Sequence, residues 1–423
     1  MTRAWIVLAP AALFYLYAFF NRTAPSVMAG DLMREFAVGG ALLGNLSAFY
    51  FYSYAALQIA VGVLVDNFGP RRIFTFAALA TGAGVLLFAA ADTLHMAYAG
   101  RLLVGAGAAF SWVCAVALIA RWFPPRRFAL VAGLTTMVGM IGAAGGQAPL
   151  AAAVEAHGWR APMLATAAFG AVLALICWLV IRDHAPGRGD TDAADVAEPR
   201  AFLHSLGLAA RNRQTWIIAA FTGAQISPFL GLASLWSVPY LMQVHALDRA
   251  HAAATATAMI AGMALGGPFL GWFSDRIGRR KPMMFLALAG QTMGITLAVY
   301  VPGLPPELLV VPFFLIGFFA SGIIIGFATA RESNNTLATG AASGIVNTGV
   351  MGAGAAVQPA IGALLDGAWV GAMSDGARLY SIEAFQTAFL SLYGALFLAL
   401  VAAVFVRETY CGVRVVPEPE RHA

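Results

Sequence analysis

An arginine at position 22, inside an apolar run, carries the most chemical information of any charge in the chain. A cation within a membrane span costs on the order of 2.5–3.5 kcal/mol by insertion scales and usually faces a cavity or a partner. Tyr15, Phe19 and Arg22 fall at i, i+4 and i+7, one helical face, and in the next apolar run Ser47, Tyr50, Tyr54 and Gln58 fall at i, i+3, i+7 and i+11. Two polar aromatic stripes on neighbouring helices describe the wall of a wet chamber. Gln58 stands out there, because an amide in mid-span requires a partner. For Arg22 a second reading stays open: a cation reaching for headgroups, or one paired with Asp31. For the tyrosines, interfacial or packing roles stay open.

In the second half, Gln225, Trp236, Asn347 and Gln358 are polar or amphipathic groups at membrane depth, either an opposite wall or helix-to-helix hydrogen bonds. No paired acids, nucleophile with its base, or metal-ligand cluster can be assembled from the chain, so the chemistry is recognition, and no enzyme, catalytic residue, metal or cofactor is expected. No Asp, Glu or His falls near the middle of a span: Glu155, Glu307 and Asp366 sit at outer ends. Membrane proton relays normally use such groups, so uniport, anion exchange and coupling through the solute's own charge remain open.

These residues need helices that cross a bilayer. Apolar residues make 60% of the 423, charged residues 11%, and mean hydropathy is +0.78, the composition of a polytopic membrane protein. Windows of about 19 residues find twelve spans, in round limits 5–28, 41–64, 73–91, 97–119, 128–154, 161–181, 215–243, 252–273, 282–301, 307–329, 339–366 and 385–406. The first could be read as a secretory signal, but removing it would leave an odd number of spans. Cys114, Cys177 and Cys411 are too scattered for a disulfide framework or a metal site. The single lysine, Lys281, lies in no phosphate-cradling loop, so no ATP site is expected. A net charge of +5 comes without a basic run interleaved with aromatics, which excludes nucleic acid as a partner.

Charged turns punctuate the apolar runs. GVLVDNFGPRR, Gly62 to Arg72, returns as GWFSDRIGRRK, Gly271 to Lys281, 209 positions later, and Ala120-Arg121 returns as Ala330-Arg331 after 210. The chain is thus a degenerate duplication, with parallel halves and a solute site near the midplane between them. Gly62, Asp66, Gly69, Arg71 and Arg72, with Gly271, Asp275, Arg276, Gly278, Arg279 and Arg280 in the second copy, resemble the loop between helices 2 and 3 of the major facilitator superfamily of secondary transporters. Asn67 replaces the usual cation after Asp; Arg276 keeps it. The resemblance implies an all-α membrane fold of twelve helices in two pseudo-symmetric six-helix bundles, working by alternating access. It also implies that the loop latches the halves on the inner side when the cavity faces outward.

Asn21-Arg22, followed by Tyr54, Gln58 and Gly62, is similar to the organic-anion and sugar-acid importers of that superfamily, where Asp-Arg occupies the first pair. There the arginine holds a substrate carboxylate, which carries over to Arg22. Asn21 departs from the Asp that carries the proton-coupling role at that position in the family. Arg101, with Gly105 and Gly107, resembles the superfamily's R-x-x-x-G pattern on helix 4 and implies a structural or coupling role.

Domain limits are expected at 1–181 for the first bundle, 182–214 for a linker ending in an interfacial helix, 215–406 for the second bundle and 407–423 for a tail. Placing both termini in the cytoplasm puts 19 of the 25 Arg and Lys residues inside. A bacterial inner-membrane protein, monomeric, with a small solute and the lipid bilayer as its partners, follows. The G-x-x-x-G pairs 142/146, 267/271, 290/294, 322/326 and 340/344 serve close packing or gating. The expected activity is transport of a small organic anion or zwitterionic nutrient. The alternatives are an exporter of drugs or siderophores and a transporter-like receptor that senses a solute without moving it.

Overall fold

The computed structural model describes residues 2–183, 199–301 and 303–412; residues 184–198 of the expected linker and 413–423 of the expected tail lie outside the described residues. Eleven helices there are long and apolar enough to cross a bilayer: Arg3–Phe36, Asn67–Ala89, Leu94–Trp122, Arg126–His157, Arg160–Val180, Arg213–Val244, Arg249–Ile277, Lys281–Tyr300, Pro306–Ser333, Thr339–Gly367 and Ile382–Phe405. A further span comes from the first part of the helical stretch Gly40–Ala89, which turns at Gly69 (φ 76°, ψ 153°), where Pro70 restarts the helix. Numbered in chain order, residues 40–68 are span 2, and spans 1 and 3–12 are the helices above. The fold is all-α, two bundles of six, as expected.

Several spans outrun their hydropathy windows. Span 1 continues to Phe36 because its last segment, Ala29–Phe36, is amphipathic, burying Leu32 and Met33 and exposing Arg34.

The spans nearest the centre are broken, at matching places. Span 1 is α-helical to Thr23, passes through a 3₁₀ turn at Ala24–Met28 and resumes at Ala29. Span 7 runs Arg213–Gly231, widens into a π turn at Leu232–Trp236 and resumes at Ser237. The breaks lie 208 positions apart, at the repeat interval. Each follows from a proline: Pro25 opens the 3₁₀ turn, and Pro228 withholds the N–H that the carbonyl four residues back would need. The two broken segments touch across the halves.

Glycines set how closely the helices approach. A Cβ at Gly142 would meet the Leu16 carbonyl of span 1, and one at Gly105 would meet the Tyr50 backbone of span 2. Gly290 lies under the Phe319 ring, whereas Gly340 and Gly344 face nothing within 4 Å. The G-x-x-x-G spacings thus divide into three packed pairs, the open pair 340/344, and 267/271, where only Gly267 is packed.

On the side of the bundle that holds residues 2 and 412, here the terminal side, each half ties its own helices together. Asp183, three residues past span 6, accepts from the Arg71 backbone N–H at 2.8 Å. Glu408, three residues past span 12, accepts from the N–H groups of Arg280 and Lys281 at 2.8 and 2.9 Å. A carboxylate therefore caps the start of span 3 and of span 9, opposite the positive end of each helix dipole. Burial raises the Glu408 pKa, but its four backbone donors outweigh that and hold it below the usual value. The helix Pro199–Arg211 packs against the start of span 11.

The far side is where the halves clasp each other. Asp366, at the end of span 11, accepts from the N–H groups of Gly40 and Ala41 at 2.8 and 2.9 Å, capping the start of span 2. Tyr380 donates to the same carboxylate at 2.6 Å, and Arg378 lies 3.0 Å away. A two-stranded hairpin, Met373–Ser374 with Ala377–Arg378, delivers Arg378 and turns through Asp375 and Gly376, both at positive φ. Asp31 joins the clasp through Arg249 at 2.6 Å. Further in, Gln147 of span 5 donates to the Ala233 carbonyl of span 7 at 2.8 Å. On spans 2 and 11 the clasp ends at Asn347, whose amide donates to Gln58 at 2.5 Å. Gln58 lies eighteen residues along span 2 from Gly40, about 27 Å at 1.5 Å per residue. Beyond it Gly62, Gly133, Gly271, Gly340 and Gly344 face nothing within 4 Å, so the bundle is closed on the far side and splayed on the terminal side.

Two outcomes test this packing. Gly105→Val should lower stability by about 1–3 kcal/mol through overpacking, read as a fall in the unfolding midpoint in detergent. Gly340→Val, facing open space, should leave the midpoint in place. Asp366→Ala should loosen the clasp, so that a thiol placed by Ser47→Cys on buried span 2 labels faster with an impermeant maleimide from the far side. Labelling unchanged from that of Ser47→Cys alone would contradict the clasp.

Candidate functional site

Arg22 occupies the last turn of the first segment of span 1, immediately before the 3₁₀ break. Its guanidinium lies 4.0 Å from the Phe19 ring centroid and 5.9 Å from that of Tyr50. No carboxylate among the described residues pairs with it, and its Nε is buried without a hydrogen bond. Asp31, the partner the sequence allowed, is taken by Arg34 at 2.8 Å and by Arg249 at 2.6 Å. That leaves a cation facing aromatic rings and nothing negative.

Tyr50 and Tyr54 approach Arg22 from span 2, buried and 5.9 Å apart between ring centroids. The Tyr50 hydroxyl lies beside the Arg22 guanidinium without closing a hydrogen bond of ordinary geometry. Tyr15 stacks within 4.6 Å of Phe19 and 5.5 Å of Trp112 on span 4, over Gly139 of span 5, where a side chain would collide with its ring. Tyr50 stands ten residues along span 2 from Gly40, about 15 Å in, near the middle of a hydrocarbon layer about 30 Å thick.

Arg101 of span 4 also lies over Tyr50, its guanidinium 5.3 Å from the ring centroid. It donates to the Asn21 carbonyl at 2.8 Å, while its Nε and its other terminal nitrogen find no partner. Asn21 bonds the Tyr17 carbonyl through its amide nitrogen and leaves its side-chain oxygen unpaired and buried. Buried polar atoms are nearly always satisfied in native proteins, so a cluster of them in one place is a binding signal. The periodicity of span 1 identified Arg22; the unpaired Asn21 oxygen needed coordinates.

The second-half residues part company. Gln225 donates to the Phe319 carbonyl at 2.8 Å, Trp236 to the Gln358 carbonyl at 3.0 Å and Gln358 to the Leu230 carbonyl at 3.1 Å. All three are buried ties between helices of their own half, the helix-to-helix alternative of the two readings the sequence left open; membrane-buried amides and indoles need partners, and here neighbouring helices supply them. Asn347 alone reaches the first half, at Gln58. Gln147 reaches across in the other direction, and its place in a glycine-rich stretch gave no periodic signal. A groove of about 570 Å³ between spans 7, 11 and 12 is lined by small apolar residues such as Ala219, Gly223 and Ala353, away from these groups.

The repeated turn keeps its bonds within each half. Arg71 donates through Nε to the Trp178 carbonyl at 2.9 Å and lies 4.3 Å over that indole, while Arg72 is exposed. The Asp66 side chain lies outside the described residues. In the second copy Gly278 ends span 8 at φ 70°, and Asp275 binds Arg280 at 2.7 Å. Arg280 also binds the buried Glu332 at the end of span 10, while Arg276 and Arg279 lie over Trp272 and Tyr410. Gly62 and Gly271 face open space in this splayed state, so neither seats a helix of the other half.

The geometry has known counterparts. The family model of the Major Facilitator Superfamily matches residues 11–252 and again 229–423. The probable sulfoacetate transporter SauU of Cupriavidus necator is 24% identical over 307 residues, covering 69% of this chain and 71% of that protein. The membrane sensor protein UhpC of Escherichia coli is 26% identical, covering 79% of each. The oxalate:formate antiporter of Oxalobacter formigenes is 29% identical, covering 54% of this chain and 53% of its own. Among solved structures, a bacterial homologue of the human lysosomal transporter Spinster, inward-facing and unoccupied, superposes with a TM-score of 0.76 at 18% identity, covering 96% of both chains. With the family model matched in each half of the duplicated bundle, the chain belongs to the Major Facilitator Superfamily.

Proposed function

We propose that this transporter moves a small organic anion whose charged group is held by Arg22, with Tyr50 and Tyr54 as hydrogen-bonding neighbours. The single observation that carries the reading is a guanidinium near mid-depth with no carboxylate partner and an unpaired Nε. An arginine is the natural receptor for a carboxylate, sulfonate or phosphate, because its planar fork can donate two parallel hydrogen bonds to two oxygens. Two of the similar proteins bear anion names, sulfoacetate and oxalate with formate, which supports the class.

In this reading the terminal side is the cytoplasm of a bacterial cell, since most Arg and Lys residues lie there. The splayed state is then inward-facing, and the Asp366 clasp is the closed outer gate. The repeated turns, with Asp66 and Asp275 at their centre, would engage the opposite half when the inner side closes.

Arg22→Gln should weaken binding of oxalate, sulfoacetate or gluconate by about 10- to 100-fold, the loss of one charged hydrogen-bonding partner at about 1.5–3 kcal/mol. Thermal shift of the purified protein against each anion, followed by labelled flux into proteoliposomes, measures it. The ligand-free midpoint should hold, and Arg22→Lys should restore part of the affinity. If Arg22→Gln bound and moved every anion as the wild type does, the assignment would be wrong. Flux is the decisive readout, because one similar protein is a sensor.

A further inference from the structure

The charge inventory around the site reaches beyond what the site binds. Every one of the twenty Asp and Glu residues lies at a span end, in a loop, in the linker or in the tail, and every one of the seven His does too. Around Arg22 and Arg101 lie Tyr15, Phe19 and Asn21 from span 1 and Tyr50 and Tyr54 from span 2, with Ser111 and Trp112 of span 4 against Tyr54 and Tyr15 and Gln58 one turn along from Tyr54. Span 5 contributes Gly139 beneath Tyr15, and span 11 contributes Asn347 through Gln58. These are phenols, a phenyl ring, amides, an alcohol and an indole. None gains or loses a proton between pH 5 and 9 without a large perturbation, and arginine stays charged throughout.

We infer that the protein is an anion exchanger: the carrier reorients with an anion bound, and the return step needs a second anion from the other side. This rests on the anion reading of Arg22 and adds the mode of coupling. Alternating access requires a moment when the site is sealed from both surfaces. Loaded, the Arg22 guanidinium is neutralised by the solute. Empty, it must lose its water with no counter-charge, while Arg101, near the same Tyr50 ring and 3% exposed, adds repulsion of like sign. Carriers with a titratable acid at the site can close empty by moving the acid between protonated and ionised forms; nothing here can do so. On the insertion cost of one uncompensated cation, the empty return is slower than the loaded one by about 100-fold. One anion enters for each that leaves, and no proton appears in the stoichiometry.

The test uses the full-length wild-type protein in liposomes with the potential clamped by potassium and valinomycin. Labelled oxalate, sulfoacetate and gluconate are the probes. Uptake is compared between vesicles preloaded with the same unlabelled anion and vesicles holding only an impermeant buffer. Exchange predicts counterflow at least about tenfold faster than uptake into anion-free vesicles, with both rates indifferent to a pH gradient of either sign. Equal rates overturn the inference and leave Arg22 as the anion site, as does a proton gradient that drives accumulation into anion-free vesicles. Probes that neither shift the unfolding midpoint nor cross in either vesicle overturn the anion reading and the exchange with it. Asn21→Asp supplies the missing acid nearly isosterically, at a side-chain oxygen already buried and unpaired, on the residue that precedes Arg22 and whose backbone carbonyl accepts from Arg101. It should raise flux into anion-free vesicles relative to counterflow and make that flux pH-dependent. An Asn21→Asp protein with the wild-type ratio and a flat pH profile would also count against the inference.

Discussion

A fixed positive charge at membrane depth must be satisfied by something, and no acid among the described residues pairs with Arg22. Arginine cannot escape by deprotonating, and hydrocarbon offers no water. The first bundle meets the requirement in part with rings and carbonyls: Phe19 and Tyr50 for Arg22, Tyr50 and the Asn21 carbonyl for Arg101. Those contacts orient the cations without cancelling them. On the proposed reading, what remains is a demand for a negative solute, which the surrounding architecture exposes to one side at a time.

Acids are used at the two membrane surfaces instead. Asp183 and Glu408 cap the starts of spans 3 and 9 within their own halves, whereas Asp366 caps the start of span 2 across the halves. The same device, a carboxylate on a helix N-terminus, is permanent where both partners belong to one bundle and reversible where they do not. Its strength suits a gate. Several hydrogen bonds to a partly exposed carboxylate hold one closed state, and water can replace each of them when the bundles rock apart.

The sequence disclosed the parts that hydropathy and spacing encode. Twelve spans, the duplicated turns and the Arg22 face are all periodic or repeated features, and they survive as helices, as matching turns and as one cluster. The helix breaks at Ala24–Met28 and Leu232–Trp236 were less legible, because a proline marks a weak point without saying whether the helix kinks, tightens or widens. The amides were ambiguous for a different reason. Gln58, Gln225, Asn347 and Gln358 look alike in mid-span, and only the neighbouring carbonyls decide whether an amide ties two helices or stays available. The far-side clasp was hidden because its members are 326 positions apart and its acid sits at a span end, where acids are common.

The two halves therefore share a scaffold and differ in what they do with polarity. The first bundle gathers two cations and three phenols, while the second ties its helices through Gln225, Trp236 and Gln358, leaving the side-chain oxygens of both glutamines unpaired. On the proposed reading one bundle is the receptor and the other closes over it, joined by Gln147 with Ala233 and, nearer the terminal side, by Gln58 with Asn347. Duplication makes such a division available, since either copy can lose its polar wall once the other keeps one. It also places the reporting contact at the seam: a solute that draws Tyr54 toward Arg22 acts one helical turn from Gln58, the innermost hydrogen bond on spans 2 and 11 that must break or form as the halves exchange sides.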